Sequence, residues 1–291
     1  MTGHQPTIWA TTAARLRLLS RAFLAACGES PPRSERDGGL SRLEAAAAGR
    51  QASASIVQIL PLLGDITQRP GWLGTSADLY GQAFSRAVAD PNVAAIVIEV
   101  DSPGGEVHGV EELATRIRSS RGVKPIVAVA NTIAASAAYW IAAQADELLV
   151  SPSGEVGSVG VYTVHEDWTK ALDQAGVVLT LISAGEGKGL DATMSISDEL
   201  RQELQSRVDT YYAMFVNAVA KGRGVSKNKV SDGWKARLVG AEEAVSLGMA
   251  DAVGTLEEAV VRAAKLSRRR LSLAANVDVE VEARLRQRAR A

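Results

Sequence analysis

A serine lies where a predicted strand passes into a predicted helix. Ser136 follows an apolar, strand-like stretch and opens the alanine-rich run that begins at Ala137. Such a turn presents the hydroxyl at the edge of a sheet and points the free N–H groups of the first helical turn toward any anion formed beside it. Ser136 is therefore a candidate nucleophile.

Lys188, at the end of the glycine-containing run 183–188, is a candidate for the base that would activate this serine. A serine hydroxyl is a poor nucleophile until a neighbour takes its proton, and lysine can do so only as the neutral amine. Its pKa must then fall by several units from about 10.4, which burial or a second cation can achieve. The alternative for Lys188 is an ordinary surface lysine.

Two adjacent glycines, Gly104 and Gly105, follow a predicted buried strand at its carboxyl end, where ligand sites gather in α/β sheets. One of their N–H groups, together with that of Ala137, could form the two-donor oxyanion hole that acyl transfer requires. Removing one such donor typically costs about 3 kcal/mol of transition-state stabilisation. The alternative is a plain Pro-Gly-Gly turn.

The histidines and the remaining glycine-rich segment suggest no other chemistry. His108 is the one credible base for a histidine-dependent triad, and its alternative is a solvated residue in the first turn of a helix. No pair of the three histidines has metal-ligand spacing, so no metal site is expected. The run 152–160 lacks the phosphate-loop ending and the dinucleotide pattern, so no cofactor is expected either.

The composition indicates a globular protein with a sizeable core. The chain has 291 residues, of which 46% are apolar and 22% charged, with a formal net charge of -1 and a pI near 6.4. This charge balance favours no nucleic-acid partner. The single cysteine, Cys27, excludes an intrachain disulfide framework and fits a reducing compartment.

The N-terminal region contains a possible lipoprotein cleavage box, Leu24–Cys27. Arg15, Arg17 and Arg21 interrupt the apolar region that should precede such a box, and the uncharged remainder is too short for a signal core or a membrane span. An amphipathic or frayed helix is the preferred interpretation.

Short apolar runs that alternate with amphipathic stretches predict an α/β fold. It has a layered β-α-β core of parallel strands, with a long helix after the core. The predicted strands are Ile56–Leu63, Ala94–Val100, Pro125–Ala130, Glu147–Val150 and Val177–Ile182. The predicted helices are Ser76–Val88, Val107–Arg121, Val164–Gln174, a long helix capped by Ser197 and stopped by Gly222 and Gly224, Ala241–Leu247 and Leu256–Leu266.

Composition also divides the chain into three parts. Residues 1–50 form an N-terminal segment that ends in a Pro- and Gly-rich linker, residues 51–267 form the core domain, and residues 268–291 form a polar, arginine-rich tail.

Five segments, each weak alone, occur in the order found in one known family. They are Asp101–Gly105, Ala135–Tyr139, Gly154–Val161, Ala184–Lys188 and Lys221–Gly224. Over about residues 56–265 the chain therefore resembles the S49 family of serine peptidases, which includes signal peptide peptidase A and phage capsid proteases within the ClpP/crotonase superfamily.

The resemblance implies a Ser/Lys dyad, with Ser136 as acyl-forming nucleophile and Lys188 as general base. It places the oxyanion donors at Gly104/Gly105 and in the Ser136–Ala137 region. It also implies homo-oligomeric rings, in which the serine and the lysine can come from neighbouring subunits.

The chain looks most like the phage or prophage branch, which similarly carries a Gly-Trp-Leu-Gly segment, here Gly71–Gly74, and an equivalent of the region Asp209–Phe215. That branch implies head maturation by cleavage of scaffold and capsid proteins, in the host cytoplasm or the prohead, with no membrane span. A signal-peptide-degrading peptidase, an acyl-CoA enzyme of the crotonase type and a catalytically silent scaffold protein remain alternatives.

Unlike many phage relatives, this chain places Glu186 and Gly187 before Lys188, and a carboxylate there would raise the lysine pKa.

Overall fold

The computed structural model describes residues 9–10, 56–71, 74–180, 182, 184 and 195–270. This part of the chain is built on a mostly parallel sheet of nine strands. The strands are β1 (Trp9–Ala10), β2 (Ile56–Thr67), β3 (Thr75–Ser76), β4 (Val93–Glu106), β5 (Ile126–Ala135), β6 (Glu147–Val150), β7 (Glu155–Gly157), β8 (Leu238–Gly240) and β9 (Ala252–Val253).

The main path of the sheet runs β3-β2-β4-β5-β6-β9, and all of these neighbours are parallel. Strand β5 changes partners along its length: residues 127–130 pair with β6, and residues 133–135 pair with β7. Two antiparallel pairs complete the sheet, β7 with β8 and β1 with β4. The end of β5 is therefore enclosed by neighbouring strands.

Helices cover both faces of this sheet. They are α1 (Ala77–Ala89), α2 (Val110–Ser119), α3 (Ala137–Ala142), α4 (Thr169–Gln174), α5 (Asp198–Arg223), α6 (Ala241–Leu247) and α7 (residues 256–270), with a π-helical turn at Lys229–Trp234. On one face the core includes α1, α2, α3 and the second half of α5. On the other face, Ala259 and Ala263 of α7 pack against alternate residues of the central strands. Among the described helices, none has both the length and the apolar character needed to cross a bilayer.

The structure confirms the predicted α/β class with parallel strands and a long helix after the core. Strand β6 and helix α6 have the predicted bounds, and Ser197 caps α5 by accepting a hydrogen bond from the Leu200 N–H at 3.1 Å. Gly224, in the left-handed conformation at φ 66°, ends α5, whereas Gly222 lies inside the helix.

Other predicted bounds are wrong for identifiable reasons. Three strands continue beyond their apolar runs, to Thr67, Glu106 and Ala135, because backbone pairing does not require apolar side chains. Helices α2 and α4 are shorter than predicted, and α7 continues to residue 270 instead of ending at Leu266.

One predicted strand is not formed. In Val177–Ile182, residues 177–180 form no strand, and Val178 is 90% exposed. On α1, the buried positions include Tyr80 and Phe84, four residues apart on the same face, whereas Leu79 is exposed.

Two arginines connect α5 to neighbouring parts of the fold. Arg121 donates to four carbonyl oxygens, three at the end of α3 (residues 143–145) and one at Gly222 on α5. Arg223 makes two 2.8 Å hydrogen bonds to Asp251, which also accepts from the Leu148 N–H at 2.7 Å. Burial raises the pKa of Asp251, but the hydrogen bonds and charge of Arg223 outweigh burial and hold this pKa below its usual value.

We expect Asp251→Asn to lower the free energy of unfolding by about 2 kcal/mol at neutral pH, since a charge-assisted pair is lost. Because the folded-state pKa is depressed, this contribution is complete above the unfolded pKa of about 3.9 and disappears as the pH falls through the lower folded value. Urea denaturation of both proteins between pH 7 and pH 3 measures it. The matched control is Asp232→Asn on the exposed π-turn, and an equal loss there would contradict the prediction.

Candidate active site

Ser136 occupies a backbone conformation that residues with side chains rarely adopt. Its φ is 53° and its ψ is -121°, at the junction of β5 and α3. The Ser136 N–H donates to Gly157 O at 2.8 Å, and its carbonyl accepts from the Trp140 N–H at 2.9 Å. The conformation costs about 1–3 kcal/mol and is therefore maintained by the surrounding structure.

The Ser136 side chain is fully buried, and its hydroxyl lies 3.5 Å from Gly160 O. This distance is long for an O–H donor, so the hydroxyl is only weakly engaged. Substrate can reach it only if the residues that cover it move.

Helix α3 is held rigidly because all six of its residues are buried. The Trp140 ring stacks on Phe215 of α5 with centroids 4.5 Å apart, and its Nε1–H donates to Glu111 at 3.1 Å. Burial raises the pKa of Glu111, which the hydrogen bond from Trp140 partly offsets. The Tyr139 hydroxyl donates to Met249 O at 2.9 Å. The serine thus begins a helix that is fixed on several sides.

The glycine-rich run 152–160 forms the other wall of this site. Its central part is β7, which pairs with the end of β5 on one side and with β8 on the other. Gly157 has φ 125°, and a Cβ atom there would lie 2.3 Å from Arg237 O. Ser158, at φ 56°, donates its N–H to the same carbonyl at 2.8 Å. These glycines therefore permit the close approach of β7 and β8 behind the serine.

Gly104 and Gly105 lie inside β4, near its carboxyl end, so the alternative of a plain Pro-Gly-Gly turn is wrong. They pair with Asp65 and Ile66 of β2, and a Cβ atom on Gly105 would lie 1.9 Å from Ile66 O. The glycines allow the two strands to pair this closely, so the strand continues through them.

The register places Gly104 and the nucleophile at the same end of adjacent strands. Ser102 of β4 pairs with Ala134 of β5. Gly104 lies two residues further along β4, and Ser136 directly follows the last residue of β5. The Gly104 N–H donates to Ser102 Oγ at 3.2 Å, a hydrogen bond that an oxyanion would have to replace.

Ser102 is a functional candidate that the sequence interpretation missed. Its buried hydroxyl accepts from Gly104 and donates to Gly64 O at 2.6 Å, so it fixes the backbone of the glycine pair. A serine two residues before a glycine is typical of a local side-chain-to-backbone hydrogen bond. This spacing is the feature of the sequence that could have identified Ser102.

The other predicted site residues are placed as follows. Ala137 is the first residue of α3, beside Ser136, and Lys188 lies outside the described residues. His108 Nε2 lies 3.4 Å from the Tyr211 hydroxyl, and the two rings meet edge-on with centroids 5.7 Å apart. In the part of the chain that the structure describes, no group of three His, Cys, Asp or Glu side chains could hold a metal ion.

The family model for peptidase family S49 matches residues 118–270, a range that contains Ser136 and Lys188. Capsid assembly protease C of Escherichia phage lambda is 32% identical over 210 residues, which is 70% of this chain and 48% of the phage protein. Protease 4 of Salmonella typhi is 30% identical over 205 residues, 70% of this chain and 33% of that protein. The chain thus spans half or less of the length of these relatives.

Among solved structures, a variant of ClpP1 from Listeria monocytogenes superposes with a TM-score of 0.42 at 14% identity, covering 69% of this chain and 94% of that one.

We expect Gly157→Ala to destabilise the protein by at least about 3 kcal/mol, because the new methyl group would collide with Arg237 O and separate β7 from β8. The matched control is Gly176→Ala. Gly176 also has a positive φ, 68°, but open space lies around it, so strain alone should cost about 1 kcal/mol. Urea denaturation compares the two variants, and equal losses would show that the contact with Arg237 is unimportant.

Proposed function

The chain belongs to peptidase family S49, and we therefore propose that it is a serine endopeptidase whose nucleophile is Ser136 and whose general base is Lys188. The observation that carries this proposal is the conformation of Ser136. A buried, strained serine at a strand-to-helix junction is a costly arrangement, and such strain concentrates where a side chain must be held for chemistry.

The reaction begins when the neutral Lys188 amine takes the hydroxyl proton as Ser136 Oγ attacks the peptide carbonyl. The oxygen of the tetrahedral intermediate accepts hydrogen bonds from the Ala137 N–H and from an N–H of the Gly104/Gly105 pair. Lys188 then gives its proton to the leaving amine, which produces an acyl-enzyme. Water, activated by the same amine, releases the acyl group and restores the serine.

The second part of the proposal is a homo-oligomeric ring whose assembly completes the dyad. It is supported by an apolar surface on the segment between the glycine-rich run and Lys188. The exposed apolar side chains there are Val164, Trp168, Val177, Val178, Leu179 and Ile182. Val178 and Ile182 are 90% and 92% exposed, and exposed apolar side chains grouped on one segment are typical of protein contacts.

The proposed substrates are capsid or scaffold proteins of a phage or prophage head. The support is the likeness to the phage lambda protein, whose name describes a capsid assembly protease. Mass spectrometry of new protein termini after co-expression with the neighbouring head genes would identify the cleavage sites.

A fluorophosphonate probe should label the assembled protein, and Ser136→Ala should abolish the labelling, because only an activated serine forms the phosphonyl ester. Ser85→Ala, on α1, is the control that keeps the label. Gel fluorescence and intact-mass measurement give the readout. An unlabelled wild-type oligomer, with head proteins processed equally in the Ser136→Ala variant, would refute the peptidase proposal.

Lys188→Ala and Lys188→Arg should both lower peptide hydrolysis by about a thousandfold or more, because arginine keeps its proton and cannot act as a base. Lys265→Arg, at an exposed position of α7, should keep full activity. Appreciable activity in the Lys188→Arg variant would assign the base to another residue, and His108→Ala would then be the next variant to measure.

A further inference from the structure

Lys235 has an unusual backbone conformation close to the serine. It follows the π-helical turn, with φ 56° and ψ -165°, a region that is essentially restricted to glycine. In the described part of the chain, three residues other than glycine have positive φ: Ser136, Ser158 and Lys235. Ser136 and Ser158 directly follow the adjoining strands β5 and β7, and Lys235 lies three residues before β8, which pairs with β7.

Contacts on both sides hold Lys235 in this conformation. Before it, the buried Trp234 donates to Leu247 O at 3.2 Å and meets the Tyr139 ring of α3 edge-on, with centroids 6.5 Å apart. After it, Arg237 O accepts the Ser158 N–H at 2.8 Å. Contacts with helix α3, which begins directly after Ser136, and with the glycine-rich run 152–160 therefore hold Lys235 in its strained conformation.

These contacts bring the segment that contains Lys235 near the nucleophile. The next residue, Ala236, has its Cβ atom only 3.2 Å from the position that a Cβ on Gly160 would occupy, and Gly160 O lies 3.5 Å from Ser136 Oγ. Lysine carries its charge at the end of a flexible four-carbon side chain.

The charge of the Lys235 side chain is not neutralised by any other described residue. Lys235 is exposed, and its ammonium group has no ion pair or hydrogen bond with any other described residue. By contrast, Arg237 forms an ion pair, with its Nη1 atom 3.5 Å from Glu243 Oε1. The segment 227–237 carries Lys227, Lys229, Lys235 and Arg237 against one acidic residue, Asp232. The segment therefore carries a net positive charge, which attracts an acidic ligand.

We propose that Lys235 is a specificity-determining residue that binds a carboxylate of the peptide at the Ser136 site. The inference rests on the proposed peptidase function and names its substrate class: chains that carry an aspartate, a glutamate or a free C-terminus near the scissile bond. This role accounts for a lysine at a backbone position that favours glycine.

Fluorescence anisotropy on the full-length Ser136→Ala protein tests this without requiring turnover. The probe is an alanine-rich peptide with a neutral fluorophore, made in three forms. The first form has an amidated C-terminus and a single aspartate, which is placed at each position in turn. The second form, the neutral reference, has asparagine instead of aspartate and the same amidated C-terminus, and the third form has asparagine and a free C-terminus. The first and third forms distinguish a side-chain carboxylate from a terminal one.

One aspartate position or the free C-terminus should bind about fivefold more tightly than the neutral peptide, as expected of a single partly exposed ion pair. Adding Lys235→Ala should remove this preference, Lys235→Glu should reverse it and Lys235→Arg should keep it. The control is Lys227→Ala, which removes an exposed lysine of the same basic segment and should change nothing. No preference in the parent protein, a preference that survives Lys235→Ala, or an equal loss in Lys227→Ala would overturn the proposal.

Lys235→Gly provides a second measurement that does not depend on the ligand's position. It should raise the melting temperature, because glycine relieves the strain, while it removes the carboxylate preference. A lower melting temperature would mean that Lys235 is retained for packing. Because no variant in the series needs Ser136 to react, failure here and failure of the peptidase proposal remain distinguishable.

Discussion

The close approach of β7 and β8 at Gly157 and Arg237 is the constraint on which the site depends. The Arg237 carbonyl occupies space that any side chain at position 157 would need, and it accepts the N–H of Ser158. Gly157 in turn supplies the carbonyl that fixes the Ser136 N–H. A short chain of backbone contacts therefore runs from β8 to the nucleophile. Because backbone atoms cannot change rotamer, this arrangement is stiffer than one made by side chains.

Packing from the other side completes the support of the serine. Helix α3 has no exposed residue, its Trp140 stacks on α5, and Arg121 binds carbonyls at the end of α3 and on α5 together. The second half of α5 therefore belongs to the core that supports the site. Strain at Ser136, Ser158 and Lys235 is maintained by this surrounding structure, and a chain selected for stability alone would place glycine at such positions.

Much of the fold could be predicted from sequence because its signals are local. The short apolar run of β6 and the Ser197 cap of α5 each depend on a few adjacent residues, and the structure confirms them. The bounds of β4 could not be predicted, since Gly104 and Gly105 are a turn signal locally and become strand only because β2 pairs with them. The run 177–180 has strand propensity, but it pairs with no described strand.

The sequence by itself determined the family, the parallel α/β class and the candidate nucleophile, because residue types and their order carry that information. Only the tertiary structure decided that Ser136 is strained and fully buried, that Ser102 fixes Gly104, and that Lys235 lies next to the glycine-rich wall. Lys235 is 99 residues from Ser136 in the chain. Their proximity arises from the pairing of β5, β7 and β8, and no local sequence pattern encodes that pairing.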